Sequence, residues 1–388
     1  MIFSFANYFV RYIFFSRTRQ KLLFLAFIGL FLSAAALLGL QSAMDGLQQS
    51  QIGRSKAVFG NGEVMFKNLS LKTAKEISLK LKEENIVHDL EYQIELLLKH
   101  DQQITPVIVH GLDVETHIPS FLDQKKENFE LIIPFDIAYK LNIDSGSKVE
   151  LISPAHVDYF FEEIPRSISL YTSDIVTTRV PEADQLHVWV PIKYIHFLIE
   201  DKTVNQIVIR SDRDFSDIKK LIENNFNVNF RMRTWEEKNQ TLVYALNLES
   251  TVMFFLFVAM TFLVSLCITS GLLIFFRKVR TDFSSFWILG TSKDQLERSS
   301  WMLINFLSII SVGLGLIAAY FGLGFFEMFV GEIMPDIFVD RKIPINITWK
   351  AVAISFTIPY LISILFSWFT LRQFKKGTDY LDIVRTVG

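Results

Sequence analysis

The chain has 388 residues, of which 50% are hydrophobic and 21% charged, and its formal net charge is −2. Its mean hydropathy of +0.30 is too high for an ordinary soluble protein, while the charge content is too high for a chain embedded throughout in a membrane. Membrane spans plus a sizeable soluble domain are therefore expected. The weak net charge indicates no nucleic-acid partner, and the single cysteine, Cys267, excludes intrachain disulfides.

Four long apolar runs predict helices that span a membrane. The first covers residues 22–40 without a charged side chain. At about 1.5 Å per residue it reaches roughly 28 Å, close to the thickness of a bilayer core. The others lie at 251–276, 301–326 and 352–371. A cleaved signal peptide is the alternative for the first run, but the run is long for one and no cleavage site is clear after it.

Basic clusters flank these runs and set their direction. They precede the first run (Arg11, Arg17, Arg19, Lys21) and follow the second and the fourth. The positive-inside rule then places both termini in the cytosol. The predicted fold class is an integral membrane protein of four transmembrane α-helices, with a large α+β extracytoplasmic domain between spans one and two.

The predicted segments follow from these runs and their flanks. They are a cytosolic N-terminal segment (1–21), a first transmembrane helix with an extension (22–50), the outer α+β domain (51–247), a second transmembrane helix (248–276), a cytosolic segment (277–300), a third helix (301–326), an outer loop (327–350), a fourth helix (351–371) and a cytosolic tail (372–388).

The outer domain is long enough to bury its own core. Short runs rich in β-branched residues and bounded by turn residues predict strands at 105–112, 148–153, 187–192 and 206–211. Apolar residues at helical spacing predict helices at 73–85 and 214–226. No repeat of about 20–50 residues is visible.

Catalytic motifs are absent from the sequence. It holds no G-x-x-x-x-G-K-[ST], no G-x-S-x-G and no H-E-x-x-H. The seven histidines all fall in the outer domain, at spacings that match no zinc pattern, so structural roles are expected for them. The apolar runs contain no Asp, Glu, Lys, Arg or His side chain, which argues against an ion-coupled transporter. We expect a non-enzyme that binds no metal or cofactor.

Three other segments have features that call for an explanation. In 41–56, helical character continues past the first run, and Gly46 interrupts it. This is either an exposed extension or a helix whose small residue allows a close partner contact. In 154–170, two prolines bracket Tyr159, Phe160 and Phe161. Because proline interrupts helices and sheets, a projecting loop or hairpin is expected, with aromatic residues that are either core or a docking site.

The third segment, 282–297, reads DFSSFWILGTSKDQLE. Gly290 and the residues after it predict a helix stop, an N-cap and a new helix. The aromatic residues before Gly290 have two explanations. They either form an interfacial aromatic belt, or they lie on a short cytosolic helix that fits a groove on a soluble partner.

The order of these features resembles the type VII ABC transporter permeases, which include the lipoprotein-release (Lol) permeases, MacB and FtsX. The most specific motifs resemble the lipoprotein-release branch. They are SAMDGLQQSQIGRS at 42–55, ELIIPFDIAYKLNIDSGSKVELISP at 130–154, WEEKNQTLVYALNLESTVMFF at 235–255 and DYLDIVRTVG at 379–388.

The resemblance implies a role for the segment at 282–292, which is similar to the helix by which these permeases contact their ATPase. The matching residues are Asp282, Phe283, Phe286, Leu289, Gly290 and Ser292, with Trp287 in place of the usual basic residue. ATP and Mg would be bound by a partner ATPase subunit dimer. The chain would pair with a second permease chain, homologous or identical, in the cell inner membrane.

The resemblance also implies lipoprotein cargo, taken from membrane lipid and passed to a periplasmic lipoprotein carrier. The loop at 154–170, with Pro165 and its three aromatic residues, resembles the hook of one permease type in that branch. Six residues of spans one and two are candidates to line the acyl-chain path: Leu40, Met44, Leu47, Met253, Phe257 and Met260. Helix packing is the alternative for each of them. The alternatives for the whole chain are a MacB-like efflux permease, an FtsX-like regulator and a membrane-anchored sensor without an ATPase.

Overall fold

The computed structural model describes residues 21–122, 129–158, 164–288, 290–329 and 344–377. They fall into two compact units, one of Met1–Gln48 with Leu246–Gly388 and one of Gln49–Ala245. The first is called here the helical unit and the second the α/β unit. The predicted N-terminal segment lies outside the described residues except for Lys21, and so does most of the predicted C-terminal tail.

The described elements alternate between helices and strands in the middle of the chain. In order they are α1 (Lys21–Phe59), β1 (Gly62–Ser70), α2 (Leu71–Glu83), β2 (His88–His100), β3 (Gln103–Leu112), β4 (Leu131–Pro134), α3 (Phe135–Leu141), β5 (Lys148–Asp158), β6 (Ile164–Val176), α4 (Pro181–Leu186), β7 (His187–Pro191), α5 (Ile192–Ile199), β8 (Thr203–Ile209), α6 (Phe215–Asn225), β9 (Phe230–Thr234), α7 (Trp235–Lys238), α8 (Gln240–Ile288), α9 (Lys293–Phe329) and α10 (Trp349–Gly377).

The strand and helix predictions for the middle of the chain are confirmed. Each of the four β-branched runs overlaps a strand, although the runs at 187–192 and 206–211 extend one and two residues past the ends of β7 and β8, and the two helical patterns correspond to α2 and α6. Helix α2 begins where the Ser70 side chain accepts a hydrogen bond from the Thr73 N–H, and Asp214 caps α6 in the same way through the Ser216 N–H.

The sheet of the α/β unit closes partly on itself. Its strand order is β3-β7-β4-β6-β5-β2-β8-β1-β9, and β2 also pairs with β3. The ring β2-β3-β7-β4-β6-β5 is therefore a closed six-stranded barrel, and β8, β1 and β9 continue from it. This is possible because β2 is long: residues 97–99 pair with β5, and residues 88–91 pair with β8.

Two strand–helix segments of the barrel share one design. Strands β4 and β7 both end in a proline, Pro134 and Pro191, and a short helix follows each directly. Both helices end at a residue in the left-handed region, Asn142 and Glu200, each with a φ of 55°. The inner faces of α3 and α5 help to fill the barrel core with buried side chains such as Ile137, Leu141, Ile195 and Leu198.

Four helices are long and apolar enough to cross a membrane, by length and composition. They are α1, α8, α9 and α10. Helix α8 runs without a break for 49 residues, past both ends of the predicted second span at 248–276. The segment at 282–288 is therefore the end of a long helix and not a separate short one. Helix α1 also continues, to Phe59, beyond the predicted boundary at residue 50.

Small polar residues lie between the helices of the helical unit. Ser33 of α1 and Thr261 of α8 have hydroxyl oxygens 3.4 Å apart, and Ser308 of α9 and Ser363 of α10 are 2.9 Å apart. A Cβ on Gly315 would lie 2.4 Å from the Phe31 carbonyl oxygen, so α9 approaches α1 at its backbone there. Small residues and inter-helix hydrogen bonds are typical of packing between membrane helices.

Candidate functional site

A short capped turn joins α8 to α9. Gly290 lies in the turn with a φ of +97°, a conformation that side-chain-bearing residues rarely adopt, and it faces open space. The Gln295 N–H donates to the Ser292 hydroxyl, and the Ser292 N–H donates to the Gln295 side-chain oxygen, both at 3.3 Å. This reciprocal pair is a capping box. The predicted stop, N-cap and new helix are confirmed.

The candidate ATPase-contact residues surround this turn. Asp282, Phe283, Phe286 and Trp287 lie in the last turns of α8, where the helical spacing places positions 283, 286 and 287 on one face. Gly290 and Ser292 are exposed, as is Ile288 next to them. Leu289 lies outside the described residues.

The candidate acyl-path residues differ in exposure within the helical unit. Leu40, Leu47 and Met260 are exposed, and Met44 and Met253 are half-buried. Phe257 is only 6% exposed. The burial of Phe257 agrees with helix packing, the alternative stated for each position. The other five side chains are accessible in a single chain.

Gly46 makes a close contact within the chain. A Cβ at this position would lie 1.9 Å from the Pro344 carbonyl oxygen. The Asn346 N–H donates to the Ser42 carbonyl at 3.0 Å, and the Thr348 hydroxyl donates to the Asp45 carboxylate at 3.2 Å. The segment before α10 is therefore fastened to α1. The sequence pattern had left a partner contact open for Gly46, and the close contact found is intramolecular.

The described residues of the segment at 154–170 belong to the two strands of a β-hairpin. Strands β5 and β6 pair antiparallel, and the register shifts between Ser153 and Val157, so that Pro154 lies in a bulge. Pro165 stands opposite Val157 and is exposed. Tyr159, Phe160 and Phe161 connect the two strands in the sequence and lie outside the described residues.

A cavity of about 740 Å³ lies beside the first residues of β6, at the end of the hairpin next to residues 159–163. Strand β6 lines it with Ile164, Pro165, Arg166 and Ser167, and α5 lines it with Lys193, His196 and Phe197. Phe197 is largely exposed, and Arg166 forms an ion pair with Glu200 at 2.9 Å. No local sequence pattern predicts this cavity, because β6 and α5 are brought together only by barrel closure.

Two of the histidines form a buried chain with a carboxylate. His110 Nδ1 lies 2.6 Å from Glu91 Oε2, and His110 Nε2 lies 2.7 Å from His187 Nδ1. Burial would raise the pKa of Glu91, but His110 outweighs it and the pKa is lowered. Burial, with His110 and Lys238, lowers the pKa of His187 to about 3. His187 Nε2 has no hydrogen-bond partner among the described residues.

A second buried network holds the end of α1. Arg210 Nε donates to the fully buried Asp89, whose other oxygen is 2.5 Å from His117 Nδ1. The Arg210 guanidinium also donates to the Ala57 carbonyl at 2.6 Å and to that of Val58 at 3.3 Å. It thereby satisfies carbonyls that the helix end leaves unpaired. The predicted structural role of the histidines agrees with both networks.

The two networks were compared with the arrangement that a metal ion requires. Among the described residues, no group of three or more His, Cys, Asp or Glu side chains is arranged to hold a metal ion. The histidines and carboxylates bond to one another and to backbone groups instead. These side chains form buried hydrogen bonds that link neighbouring strands of the sheet.

The chain was compared with protein families, curated proteins and solved structures, and only solved structures are similar to it. No family profile and no curated protein matches the chain. The extracellular domain of the noncanonic ABC-type transporter YknZ from Gram-positive bacteria is similar at 10% identity and a TM-score of 0.30, over 45% of this chain and 98% of that one. The periplasmic region of MacB from Actinobacillus actinomycetemcomitans is similar at 12% identity and a TM-score of 0.30, over 50% and 98%. Likeness at this level does not establish a shared fold.

Proposed function

We propose that the chain is the non-catalytic permease subunit of an ABC transporter that extracts lipoproteins from the inner membrane. A separate ATPase subunit dimer would supply the energy, and a periplasmic carrier would receive the cargo. The observation that carries the proposal is the α8–α9 turn, a capped and exposed joint at the end of one continuous helix. The order of the sequence motifs along the chain supports the same assignment.

The turn suits a mechanical contact. Helix α8 extends 49 residues from Gln240 to Ile288, roughly 70 Å at about 1.5 Å per residue. A displacement applied near Trp287 would therefore travel along one helix, since no described residue between these ends breaks it. The apolar side chains in 282–288 are suited to a groove on the ATPase, where they would be shielded from water. In this mechanism the chain converts a cytosolic conformational change into movement elsewhere.

The cargo explains why an apolar path is needed. Burying an acyl chain is worth about 0.8 kcal/mol per methylene, so three chains of about fifteen methylenes would cost on the order of 35 kcal/mol to expose to water. A single ATP cannot supply that, so the chains have to stay in apolar surroundings. Met44, Met253 and Met260 are accessible and flexible enough to adapt to varied chains. Phe257, being buried, is left out of this path.

The hairpin at 154–170 would hold the carrier. Ile164 and Pro165, the first residues of β6 after the connection, are exposed, which favours a projecting element. Residues 164–171 of β6 pair only with β5, because β4 begins to pair at Thr172. An aromatic tip on such a hairpin suits an apolar site on a partner.

Co-purification tests the proposal. The tagged chain is extracted gently beside Gly290→Arg, which adds a bulky charge, and Gly290→Asn, since asparagine tolerates positive φ better than other residues. We expect an ATPase subunit and lipoproteins with the wild type, loss of the ATPase with Gly290→Arg, and retention with Gly290→Asn. An ATPase with a periplasmic adaptor and no lipoprotein would favour a MacB-like exporter. Absence of any ATPase would refute the coupling role and favour a sensor.

A further inference from the structure

A cavity of about 430 Å³ lies in the helical unit, beside the second half of α9 and the start of α10. Its size falls within the range of about 300–1,000 Å³ typical of small-molecule sites. Helix α9 lines it with Leu316, Ile317, Tyr320 and Phe321, and α10 lines it with Trp349 and Val352. None of these residues belongs to the acyl path proposed for spans one and two.

The surface of this cavity is apolar. Leu38, Ala319 and Ala351 are buried together behind it, and Leu316 and Val352 pack against that cluster. Thr348 also lines the cavity, but its hydroxyl donates to Asp45 at 3.2 Å and accepts from the Ala351 N–H at 3.1 Å. The Thr348 hydroxyl therefore needs no bond from a ligand.

One wall of the cavity is fixed in place. Ile347 and Thr348 belong to the segment that precedes α10, and that segment is fastened to α1 by the Asn346–Ser42 backbone bond and the close approach at Gly46. The cavity is thus an open groove lined by residues of α1, α9 and α10, and by a connecting segment that hydrogen bonds hold in place.

We propose that this cavity holds an acyl chain of a membrane glycerophospholipid. The helices that form it, over Arg298–Met328 and Trp349–Gln373, have the length and composition of membrane spans, so bilayer lipid surrounds them. Apolar space of this size in hydrocarbon is filled, since an empty space forfeits dispersion contacts. Tyr320 and Trp349 are exposed, and such side chains rest at the headgroup level, which places the mouth of the cavity there.

Residues 330–343 are a less suitable occupant. This stretch of fourteen residues contains five charged ones: Glu332, Asp336, Asp340, Arg341 and Lys342. Desolvating charged groups next to an apolar wall is costly. The lipid assignment depends on the helices lying in a bilayer and not on the lipoprotein-release proposal, so either proposal can fail without the other.

Photo-crosslinking tests the site on the full chain in nanodiscs of phosphatidylethanolamine and phosphatidylglycerol. A fraction of the phosphatidylethanolamine carries a diazirine on its acyl chain, and the labelled peptides are mapped by mass spectrometry. The filling variant is Ile317→Trp with Val352→Trp. The matched control is Leu314→Trp, because Leu314 and Ile317 are both 53% exposed on α9 and only Ile317 lines the cavity.

We expect labelling concentrated at residues 316–321 and 347–352, falling to the level of the other exposed helix faces in the filling variant and unchanged in Leu314→Trp. Uniform labelling of all exposed faces would overturn the proposal, since it would show only the surrounding lipid. A cysteine at position 317 that forms a disulfide with one placed in 330–343 would show that the chain fills the cavity itself. A disulfide between two copies through position 317 would assign the face to an interface. Either result overturns lipid occupancy.

Discussion

Gly46 lies so close to Pro344 that a single added carbon at position 46 would stand 1.9 Å from the Pro344 carbonyl oxygen. The contact joins the extension of α1 to the segment that leads into α10. The adjoining bonds from Asn346 to Ser42 and from Thr348 to Asp45 depend on the same approach. A glycine that weakens a helix locally is therefore required by the packing of two distant parts of the chain.

Substitution of Gly46 by alanine tests this relationship. In an open helix position alanine is more favourable than glycine by about 1 kcal/mol. At position 46 we expect the opposite, a loss of on the order of 1–3 kcal/mol from forced displacement of the Pro344 backbone. Thermal unfolding of the purified chain in detergent measures it. Gly39→Ala and Gly53→Ala are the controls, since a Cβ at either position meets nothing within 4 Å. An unchanged melting temperature for Gly46→Ala would disprove the steric requirement.

Arg210 anchors the end of α1 within the α/β unit. Arg210→Met keeps much of the side-chain volume but leaves Asp89, which is fully buried, without its guanidinium partner. Removal of one partner of a buried pair costs about 3–5 kcal/mol. It would also free the Ala57 and Val58 carbonyls. Denaturant unfolding of the full chain, followed by a signal from the α/β unit, measures the loss in the free energy of unfolding.

Arg213→Met is the matched control for the Arg210 measurement. Arg213 pairs with Glu84 at 3.3 Å, and both side chains are about half exposed. Exposed pairs contribute about 0–1 kcal/mol. Equal effects of the two substitutions would contradict an anchoring role for Arg210.

Because the pKa of His187 is lowered in the folded protein, we expect the free energy of unfolding to depend on pH. Its pKa in the folded protein is lowered to about 3, whereas an unperturbed histidine has a pKa of about 6.5. Below pH 6.5 the unfolded chain takes up a proton that the folded chain does not, so stability falls as pH falls. Between pH 6.5 and 5 the expected loss is about 2 kcal/mol. His187→Gln should reduce this slope in denaturant titrations at the two pH values.

The pH window separates His187 from the carboxylates, because Glu91 has a lowered pKa and contributes stability that is lost only at more acidic pH. His88, whose pKa burial also lowers, contributes in the same direction as His187. The difference between wild type and His187→Gln is therefore the informative quantity. An unaltered slope in the variant would show that His187 is protonated without cost in the folded protein.

Local features of the sequence were sufficient to predict several elements. Four apolar runs identify helices of membrane length, and β-branched runs such as 206–211 identify strands, because burial periodicity is a local property. The turn after α8 was predictable from Gly290 and from Ser292 with Gln295 three residues on. These signals lie within one or two turns of the residues they describe.

Other features depend on residues far apart in the chain. Closure of the barrel requires β2 to pair with β3 and β5, and no local pattern indicates which strands meet. His110 and His187 come within hydrogen-bond distance only because β3 and β7 are neighbours in parallel register. The contact of Gly46 with Pro344 likewise depends on packing across the helical unit. The short cytosolic helix predicted before Gly290 is instead the end of α8, because the helix continues past the apolar run that marked the predicted span.

The aromatic tip of the hairpin makes the carrier proposal testable. Replacing Tyr159, Phe160 and Phe161 by serine should leave folding unchanged, since the paired part of the hairpin, 148–158 with 164–171, stays intact. If the tip docks in an apolar site, binding of the purified carrier should weaken at least about tenfold, the effect of about 1.4 kcal/mol, and interface aromatic residues often contribute more. Surface plasmon resonance with the full chain in nanodiscs measures this. Phe135→Ser removes another exposed aromatic residue of the same unit and should have no effect. Equal affinity of the tip variant and the wild type would remove the hairpin from the carrier interface.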